Sequence, residues 1–482
     1  MLTLKRSLNV LPLLSLAALL FAGPAGAADD FTNGLAAFNK GDYALAADHF
    51  AAAAEAQPDD ALPLAWLGLA QLRAGRSEEA VATLTRALEI DPKMPEAHHN
   101  LGNAYWELGK TQDAVEHYQE AVFLQPHYVP PHYNLGTVFL ALDDFERAMG
   151  EFSVTVELDP KNAHAHNNLG VCLERTGKLD QAVQAYEKAV SLEEKNESFR
   201  LNLALALRAA GKPKQAEDQL RRMAAANSKD PSVYLNLGAI RYDRGEHQTA
   251  AEAFRRAIAL QPGNAAAHYN LGLCQRQLGL RDEAKQSFRD AVAADPELAN
   301  AQINLGAMEL DDGKPAAAAE HFAAALGSDP TSYTAAFNLG LAYVALGNDE
   351  DALRVWSALG ERQPADPAVH EALASTCFRL HRYDDARREY RALLDLRPRD
   401  AAAHNNLGII YEEFGQFDEA AAAYHAALAI DPKYARAHNN LGVLHERQGK
   451  LDEARAAYRA ALDADPNLED ARRNLERLKG EE

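Results

Sequence analysis

The sequence predicts an all-α solenoid of thirteen helix-turn-helix repeats, closed by a C-terminal capping helix. Glycine recurs at a fixed interval, as at Gly102, Gly136 and Gly170, and alanine recurs at the same interval without exception from Ala46 to Ala454. Proline closes eleven of the repeats. Counted from residue 27, thirteen equal intervals end at residue 468 with no insertion or deletion. A fixed period of about 34 residues is the signature of a repeat array.

Each recurring residue has a structural role when positions 1 to 34 of a repeat are counted from Ala27. Position 8 is Gly in eleven repeats, and positions 20 and 27 are mostly Ala, so two helices can approach closely there. Position 24 is aromatic in eleven repeats and should fill the remaining space. Positions 4, 7, 8 and 11 are expected on one helical face, and positions 20, 24 and 27 on another. Gly at position 15 suits a left-handed helix C-terminus, and Pro at position 32 ends the second helix.

This pattern resembles the tetratricopeptide repeat, and the resemblance covers residues 27–468. It implies a right-handed α-solenoid of about thirteen such units whose first helices line a concave groove. Residues 469–482 are expected to form one more first-type helix with a charged outer face, which would cap the apolar end of the array.

The N-terminal segment, 1–27, resembles a secretory signal. Lys5 and Arg6 precede an apolar run at 8–22, and Ala25 and Ala27 frame a small-residue cleavage site. We expect three parts: a signal peptide at 1–27, a continuous repeat array at 28–468 and a capping helix at 469–482. The alternative is an uncleaved anchor, although the run is short for a membrane span and contains Pro12. The expected location is the periplasm of a Gram-negative bacterium, with no membrane span in the mature chain.

Composition and motifs argue against several classes of function. The chain has 49 basic and 70 acidic residues and a net charge of −21, which disfavours nucleic acid as a partner. Three Cys cannot form a disulfide framework. No nucleotide-binding, hydrolase or zinc-protease motif is present, so we expect no enzyme, catalytic residue, cofactor or metal. Seven His recur at position 4, where a structural role is expected. Only the crowd of His98, His99, His127 and His132 could hold adventitious zinc.

Asparagine at position 6 forms a ladder along the array. Asn in mid-helix is less favourable than Ala by about 0.5 kcal/mol, so its recurrence needs a reason. Repeats written His-Asn-Asn-Leu-Gly, as at 166–170, resemble those of O-linked N-acetylglucosamine transferases, in which the matching asparagines hold substrate peptide. The resemblance implies a peptide-binding role for Asn100, Asn134, Asn168, Asn202, Asn236, Asn270, Asn304, Asn338, Asn406 and Asn440. The alternative is an amide that bonds a neighbouring helix or only water. The segment 469–482 after the last repeat is too short for a catalytic domain, so glycosyl transfer is not expected.

Two further groups are candidates for partner binding. Position 5 is apolar in the middle repeats and could supply side-chain pockets, or it could belong to the core between repeats: Leu201, Leu235, Tyr269, Ile303 and Phe337. Repeat 6 carries basic residues that could dock an acidic partner, or that could be ordinary solvated charge: Arg200, Arg208, Lys212, Lys214, Arg221 and Arg222.

The resulting functional hypothesis is an exported adaptor that binds an extended protein segment, from an envelope protein, in its concave groove. The alternative is a structural scaffold in a cell-envelope machine of the exopolysaccharide-export or pilus-assembly type, with partners on the outer faces and ends.

Overall fold

The computed structural model describes residues 25–479, which form helices joined by turns and contain no strand. They fall into two compact units, divided between Ile240 and Arg241. The predicted signal peptide lies outside the described residues, except that the first helix begins at Ala25. The prediction of an all-α repeat solenoid is confirmed.

Two helices per repeat follow one another along the chain. The first compact unit contains α1 (Ala25–Asn39), α2 (Tyr43–Ala56), α3 (Ala61–Arg73), α4 (Ser77–Ile90), α5 (Pro95–Glu107), α6 (Thr111–Leu124), α7 (Val129–Ala141), α8 (Phe145–Leu158), α9 (Ala163–Arg175), α10 (Leu179–Leu192), α11 (Glu197–Ala209), α12 (Pro213–Ala225) and most of α13 (Pro231–Asp243). The second contains α14 (His247–Leu260), α15 (Ala265–Gln277), α16 (Arg281–Ala294), α17 (Ala299–Asp311), α18 (Pro315–Ser328), α19 (Tyr333–Ala345), α20 (Asp349–Arg362), α21 (Pro367–Arg379), α22 (Tyr383–Leu396), α23 (Ala401–Glu413), α24 (Phe417–Ile430), α25 (Ala435–Arg447), α26 (Leu451–Ala464) and α27 (Glu469–Lys479).

The turn inside each repeat needs a left-handed residue at position 15. The glycines there have φ between 67° and 79°. In the two repeats that lack this glycine, Asp143 and His381 adopt the same conformation, with φ of 58° and 55°. Repeat 6, which lacks the closing proline, ends its second helix at Ala225 and continues through Asn227 at φ 56°.

Close packing inside each repeat joins positions 8 and 24, as the sequence predicts. A Cβ atom on Gly272 would lie 2.7 Å from the Phe288 ring, and one on Gly408 would lie 2.6 Å from the Tyr424 ring. Both rings are fully buried. The two helices of a repeat therefore meet at a contact that leaves no room for a methyl group in these repeats.

The buried face of the first helices is wider than the expected one. Positions 3, 7 and 10 are buried, as in Ala267, Leu271 and Cys274, whereas His268 at position 4 is only partly buried. Three of the four positions predicted for this face are buried in the same helix, at Leu271, Gly272 and Gln275, and only position 4 differs. Positions 3, 7 and 10 follow the three- and four-residue spacing of one helical stripe.

The surface that carries positions 5, 6, 9 and 12 of the first helices is called the inner face below. These positions are neighbours on one side of a helix. In the second compact unit, successive first helices also contact one another, as α17 does with α19 and α23 with α25. The last helix, α27, packs Ala471, Leu475 and Leu478 inward against α26.

Candidate functional site

The histidines of position 4 join neighbouring repeats through the main chain. In each of the seven, Nε2 lies 2.9 to 3.2 Å from the carbonyl oxygen of the proline six residues earlier. A carbonyl oxygen can only accept, so Nε2 carries the proton and donates it. Gln302 and Arg472 donate to Pro296 and Pro466 from the same position. The recurring donor therefore has a structural role between repeats.

The histidines of the cluster considered for zinc contact different side chains. His98 faces His117, with their Nδ1 atoms 3.1 Å apart, and His99 contacts Asn134. Between residues 25 and 479, no group of three or more His, Cys, Asp or Glu could hold a metal ion. Cys172, Cys274 and Cys377 are buried free thiols.

Two ladder asparagines are buried in the first compact unit. The Asn134 amide donates to Asn103 Oδ1 at 2.8 Å and to His99 Nε2 at 2.9 Å, while the Tyr118 hydroxyl donates to the same Asn103 oxygen at 2.8 Å. Burial lowers the pKa of His99 to about 3, so its ring stays neutral and can accept. Asn100 is also buried. These two amides are enclosed within the fold and are not part of the binding face proposed below.

Where the preceding repeat has Asn at position 5, the ladder asparagine forms side-chain hydrogen bonds with other asparagines. Near the C-terminus, five amides form one directional chain that ends on a tyrosine hydroxyl. Its donors and acceptors, in order, are Asn474 to Asn439 at 3.1 Å, Asn439 to Asn440 at 3.5 Å, Asn440 to Asn405 at 3.0 Å, Asn405 to Asn406 at 3.3 Å, and Asn406 to Tyr390 at 3.0 Å. Asn202 donates to Asn167 at 2.9 Å, and Asn167 donates to Asn168 at 3.2 Å, in the same way. For these asparagines, the contacts favour the structural alternative.

Other ladder positions lack such a partner. Within the second compact unit, the side-chain amides of Asn270 and Asn338 form no hydrogen bond, and both residues are partly exposed. Position 5 of the repeat before Asn338 is Ile303, which offers no polar group. These two amides therefore keep two donors and one acceptor oxygen for another molecule.

Asn304 and Asn236 instead hold arginines that the sequence interpretation did not pair with them. Arg276, at position 12 of the preceding repeat, donates from Nη1 to Asn304 Oδ1, and the Asn304 amide donates to the carbonyl oxygen of Asn300 at 2.8 Å. Arg208 donates to Asn236 Oδ1 at 3.0 Å, and Asn236 bonds its own helix at the Ser232 carbonyl. In the sequence, the signal for this pairing is an Arg at position 12 of the repeat that precedes a ladder Asn.

The apolar residues of position 5 each pack on one side and face outward on the other. Tyr269 lies 5.9 Å from the Phe288 ring centroid, and Phe337 lies 6.0 Å from that of Trp356. Ile303 packs against the core that α18 and α19 form. All three are partly exposed, as are Leu201 and Leu235 in the first compact unit. They therefore contribute to the core between helices and also leave apolar surface on the inner face.

Most of the basic residues of repeat 6 have partners inside the first compact unit. Arg200 bonds Gln219 and the Glu194 carbonyl, Arg208 bonds Asn236, Lys212 pairs with Asp180, and Arg221 pairs with Glu217. Lys214 and Arg222 are exposed. These contacts favour ordinary surface charge over a dedicated docking site.

Buried tyrosines of position 24 bond glutamates of position 12 in the same repeat. The hydroxyl donates to a carboxylate oxygen in Tyr186 to Glu174 at 3.0 Å, Tyr424 to Glu412 at 2.6 Å and Tyr458 to Glu446 at 2.8 Å. From the sequence, position 24 was expected only to supply a ring that fills space. The joint occurrence of Tyr and Glu in three repeats was a signal for these bonds.

The charge state of His370 makes part of the stability depend on pH. Burial lowers the pKa of His370, but its bonds to Glu389 at 2.7 Å and to the Pro364 carbonyl outweigh burial and raise the pKa above its usual value. A raised pKa stabilises the fold below the unfolded value of about 6.5, and this contribution is lost as pH rises through the folded value. We expect wild type to exceed His370→Gln in unfolding free energy by more at about pH 6 than at about pH 8. Urea unfolding at both pH values measures this; a constant difference would contradict it.

Comparisons with known proteins agree with the repeat pattern. Four models described as tetratricopeptide or TPR repeats match the chain. The matched residues are 133–198, 269–333, 371–434 and 411–469 for the first, 72–109 and 238–279 for the second, 173–239 and 309–376 for the third, and 95–128 for the fourth. No curated protein matches the chain.

Several solved structures are similar to parts or most of the chain. A tetratricopeptide repeat protein from Parabacteroides merdae is 21% identical, with 52% of this chain and 100% of that chain covered and a TM-score of 0.37. MamA from Desulfovibrio magneticus is 24% identical, with 34% and 93% covered and a TM-score of 0.33. A chain of the APC/C hetero-tetramer Cut9–Hcn1 is 16% identical, with 97% and 99% covered and a TM-score of 0.35.

Proposed function

This chain belongs to the tetratricopeptide repeat family, and we propose that it acts by holding an extended protein segment on the inner face of repeats 8 to 10. The family assigns it a role as an adaptor for protein–protein interactions. The proposed binding face comprises the first helices α15, α17 and α19, all in the second compact unit.

The observation that carries this proposal is the difference between free and bonded ladder amides. Asn270 and Asn338 are partly exposed and have no side-chain hydrogen bond in their compact unit, whereas Asn406 and Asn440 are engaged by neighbouring side chains. An extended peptide presents unpaired N–H and C=O groups at regular intervals. A free carboxamide can bond both kinds of group, and the apolar surface of Ile303 and Phe337 can accept side chains between them.

The test compares two double variants for binding and for stability. The probe is a random peptide library displayed on phage, followed by titration of the selected peptide. We expect Asn270→Ala with Asn338→Ala to weaken binding about tenfold or more, because two hydrogen bonds to the peptide are lost, and to keep or slightly raise the melting temperature, because Ala is favoured over Asn inside a helix. The matched control, Asn405→Ala with Asn439→Ala, should lower the melting temperature and keep the affinity.

Two outcomes would contradict the proposal. If no peptide is selected, the inner face does not bind extended segments. If selected peptides bind both double variants equally, the ladder is structural, and the scaffold alternative with outer docking surfaces is favoured. One apolar group on such a surface is Phe123 of α6, which is 77% exposed.

Export to the periplasm is a further part of the proposal, supported by the charge, apolar and small-residue order of residues 1–27. No helix in the described part of the chain is long and apolar enough to cross a membrane. Ala27 is buried in α1, so cleavage after it would have to precede folding. The partner would then be an envelope protein.

A further inference from the structure

We infer that Arg276, positioned by Asn304, is an anion-binding group of the inner face, and that the segment bound there carries a carboxylate side chain within an apolar stretch. This inference rests on the proposed function, and it names the chemistry of the partner.

Both the oxygen and the nitrogen of the Asn304 side-chain amide are hydrogen-bonded within the fold. Its oxygen accepts from Arg276 Nη1, and its amide donates to the Asn300 carbonyl one turn earlier. Both of these hydrogen bonds engage Asn304 within the fold, so at this repeat the guanidinium is better placed than the amide to meet a ligand. A guanidinium has five N–H donors, and the bond to Asn304 uses one of them.

Arg276 differs from neighbouring arginines in having no acidic partner. Arg281 pairs with Asp312 at 2.6 Å, and Arg289 pairs with Glu309 at 2.9 Å. Arg276 is exposed and makes no ion pair within the second compact unit. An exposed and oriented cation without a carboxylate partner attracts an external anion at short range, even though the chain as a whole has a net charge of −21.

The residues around Arg276 favour a ligand that carries one negative charge next to apolar groups. It is the only Lys or Arg in α15, α17 and α19. One guanidinium matches one carboxylate in a bidentate pair, whereas a phosphate dianion would remain half neutralised. Beyond it, the inner face continues with Ile303, Phe337 and Leu341, of which Leu341 is exposed. The occupant is therefore an extended polypeptide with an Asp or Glu among apolar residues.

The same arrangement occurs in the first compact unit, where Arg208 donates to Asn236 and Asn236 bonds the Ser232 carbonyl. The recurrence of both hydrogen bonds at matching positions argues that Arg and Asn act together. Position 12 carries other residues in the remaining repeats, for example Leu310, Val344 and Glu412, so the Arg–Asn pair is not a requirement of the repeat.

The experiment uses the full chain and the phage-displayed random peptide library. Wild type is expected to select peptides enriched in Asp or Glu next to apolar residues. Arg276→Glu should reverse the preference toward Lys or Arg, and Arg276→Gln should weaken binding of the wild-type peptide about tenfold. The matched control is Arg459→Glu on α26, an exposed second-helix arginine, which should keep the acidic preference.

The results that would contradict the inference are distinct from those that would contradict the proposed function. Acidic enrichment that persists in Arg276→Glu would overturn this inference, and loss of binding in the Asn270→Ala, Asn338→Ala variant would show that the proposed function still stands. Enrichment of apolar peptides without charge would also overturn the inference alone. A wild-type preference for phosphopeptides over the same peptides with Glu would replace the carboxylate by a phosphate and overturn the inference as stated. Selection of no peptide would overturn both proposals.

Discussion

Gly340→Ala is expected to destabilise the second compact unit by about 3 kcal/mol. A Cβ atom on this residue would lie 2.2 Å from Cε2 and 2.3 Å from Nε1 of Trp356. The indole is 2% exposed, so the ring cannot move aside without displacing its neighbours. Its N–H also donates to the Phe337 carbonyl at 3.2 Å, and a shift of the ring would break this bond in a buried place. Amide hydrogen exchange in α19 and α20, followed by mass spectrometry, measures the loss of protection.

The same substitution at a second glycine, in the following helix, supplies the control. Gly360 lies inside α20, where an added Cβ atom would meet Leu373 and Val369 at an ordinary contact distance of 3.4 Å. We expect Gly360→Ala to be neutral or stabilising by up to about 1 kcal/mol, because glycine is unfavourable in a helix interior. Equal protection in the two variants would contradict the packing argument.

Lys285→Met is expected to cost about 3 kcal/mol, because it removes the buried one of the two cations that lie 2.9 Å from the buried Glu309 carboxylate. Lys285 is 7% exposed and lies 2.9 Å from Glu309, which is 5% exposed. It also pairs with Asp312. Arg289 and Lys314 remain near Glu309, at 2.9 and 3.6 Å, and limit the loss.

A second variant separates charge from packing at this ion pair. Replacing both members, Lys285→Met with Glu309→Met, should recover most of the lost stability, since apolar pairs of similar volume often substitute for buried ion pairs. Hydrogen exchange in α16 and α17 measures both variants. If the double variant is as unstable as the sum of the two single ones, the buried charge is not the cause.

The sequence was sufficient for the repeat architecture because the features that set it are local. Gly at position 15, Pro at position 32 and the small residue at position 8 constrain the backbone directly, and the structure confirms the turns and the contact with position 24. The predicted face of the first helix is confirmed at positions 7, 8 and 11, but position 3 is enclosed where position 4 was expected to be. Ala267 and His268 show the difference, since only the alanine is fully enclosed.

The candidate site was less accessible to sequence reasoning, because a hydrogen bond depends on which partner lies across the gap between repeats. Asn270, Asn304 and Asn440 occupy the same position and have different environments. Asn270 has a free amide in its compact unit, Asn304 bonds an arginine, and Asn440 belongs to the chain of bonded amides. The deciding residues, such as Arg276 for Asn304 and Asn405 for Asn440, lie in the preceding repeat, so no single repeat reveals them.

The donor at position 4 has a consequence for how such an array can change in length. Its acceptor is a main-chain carbonyl, which any preceding repeat supplies whatever its side chains. His, Gln and Arg all serve as the donor, as in His268, Gln302 and Arg472. A hydrogen bond of this kind between repeats needs no matched pair of side chains. Whole repeats that carry a donor at position 4 can therefore be duplicated, deleted or exchanged with this contact re-forming at the new junction, and modularity follows from the choice of a backbone acceptor.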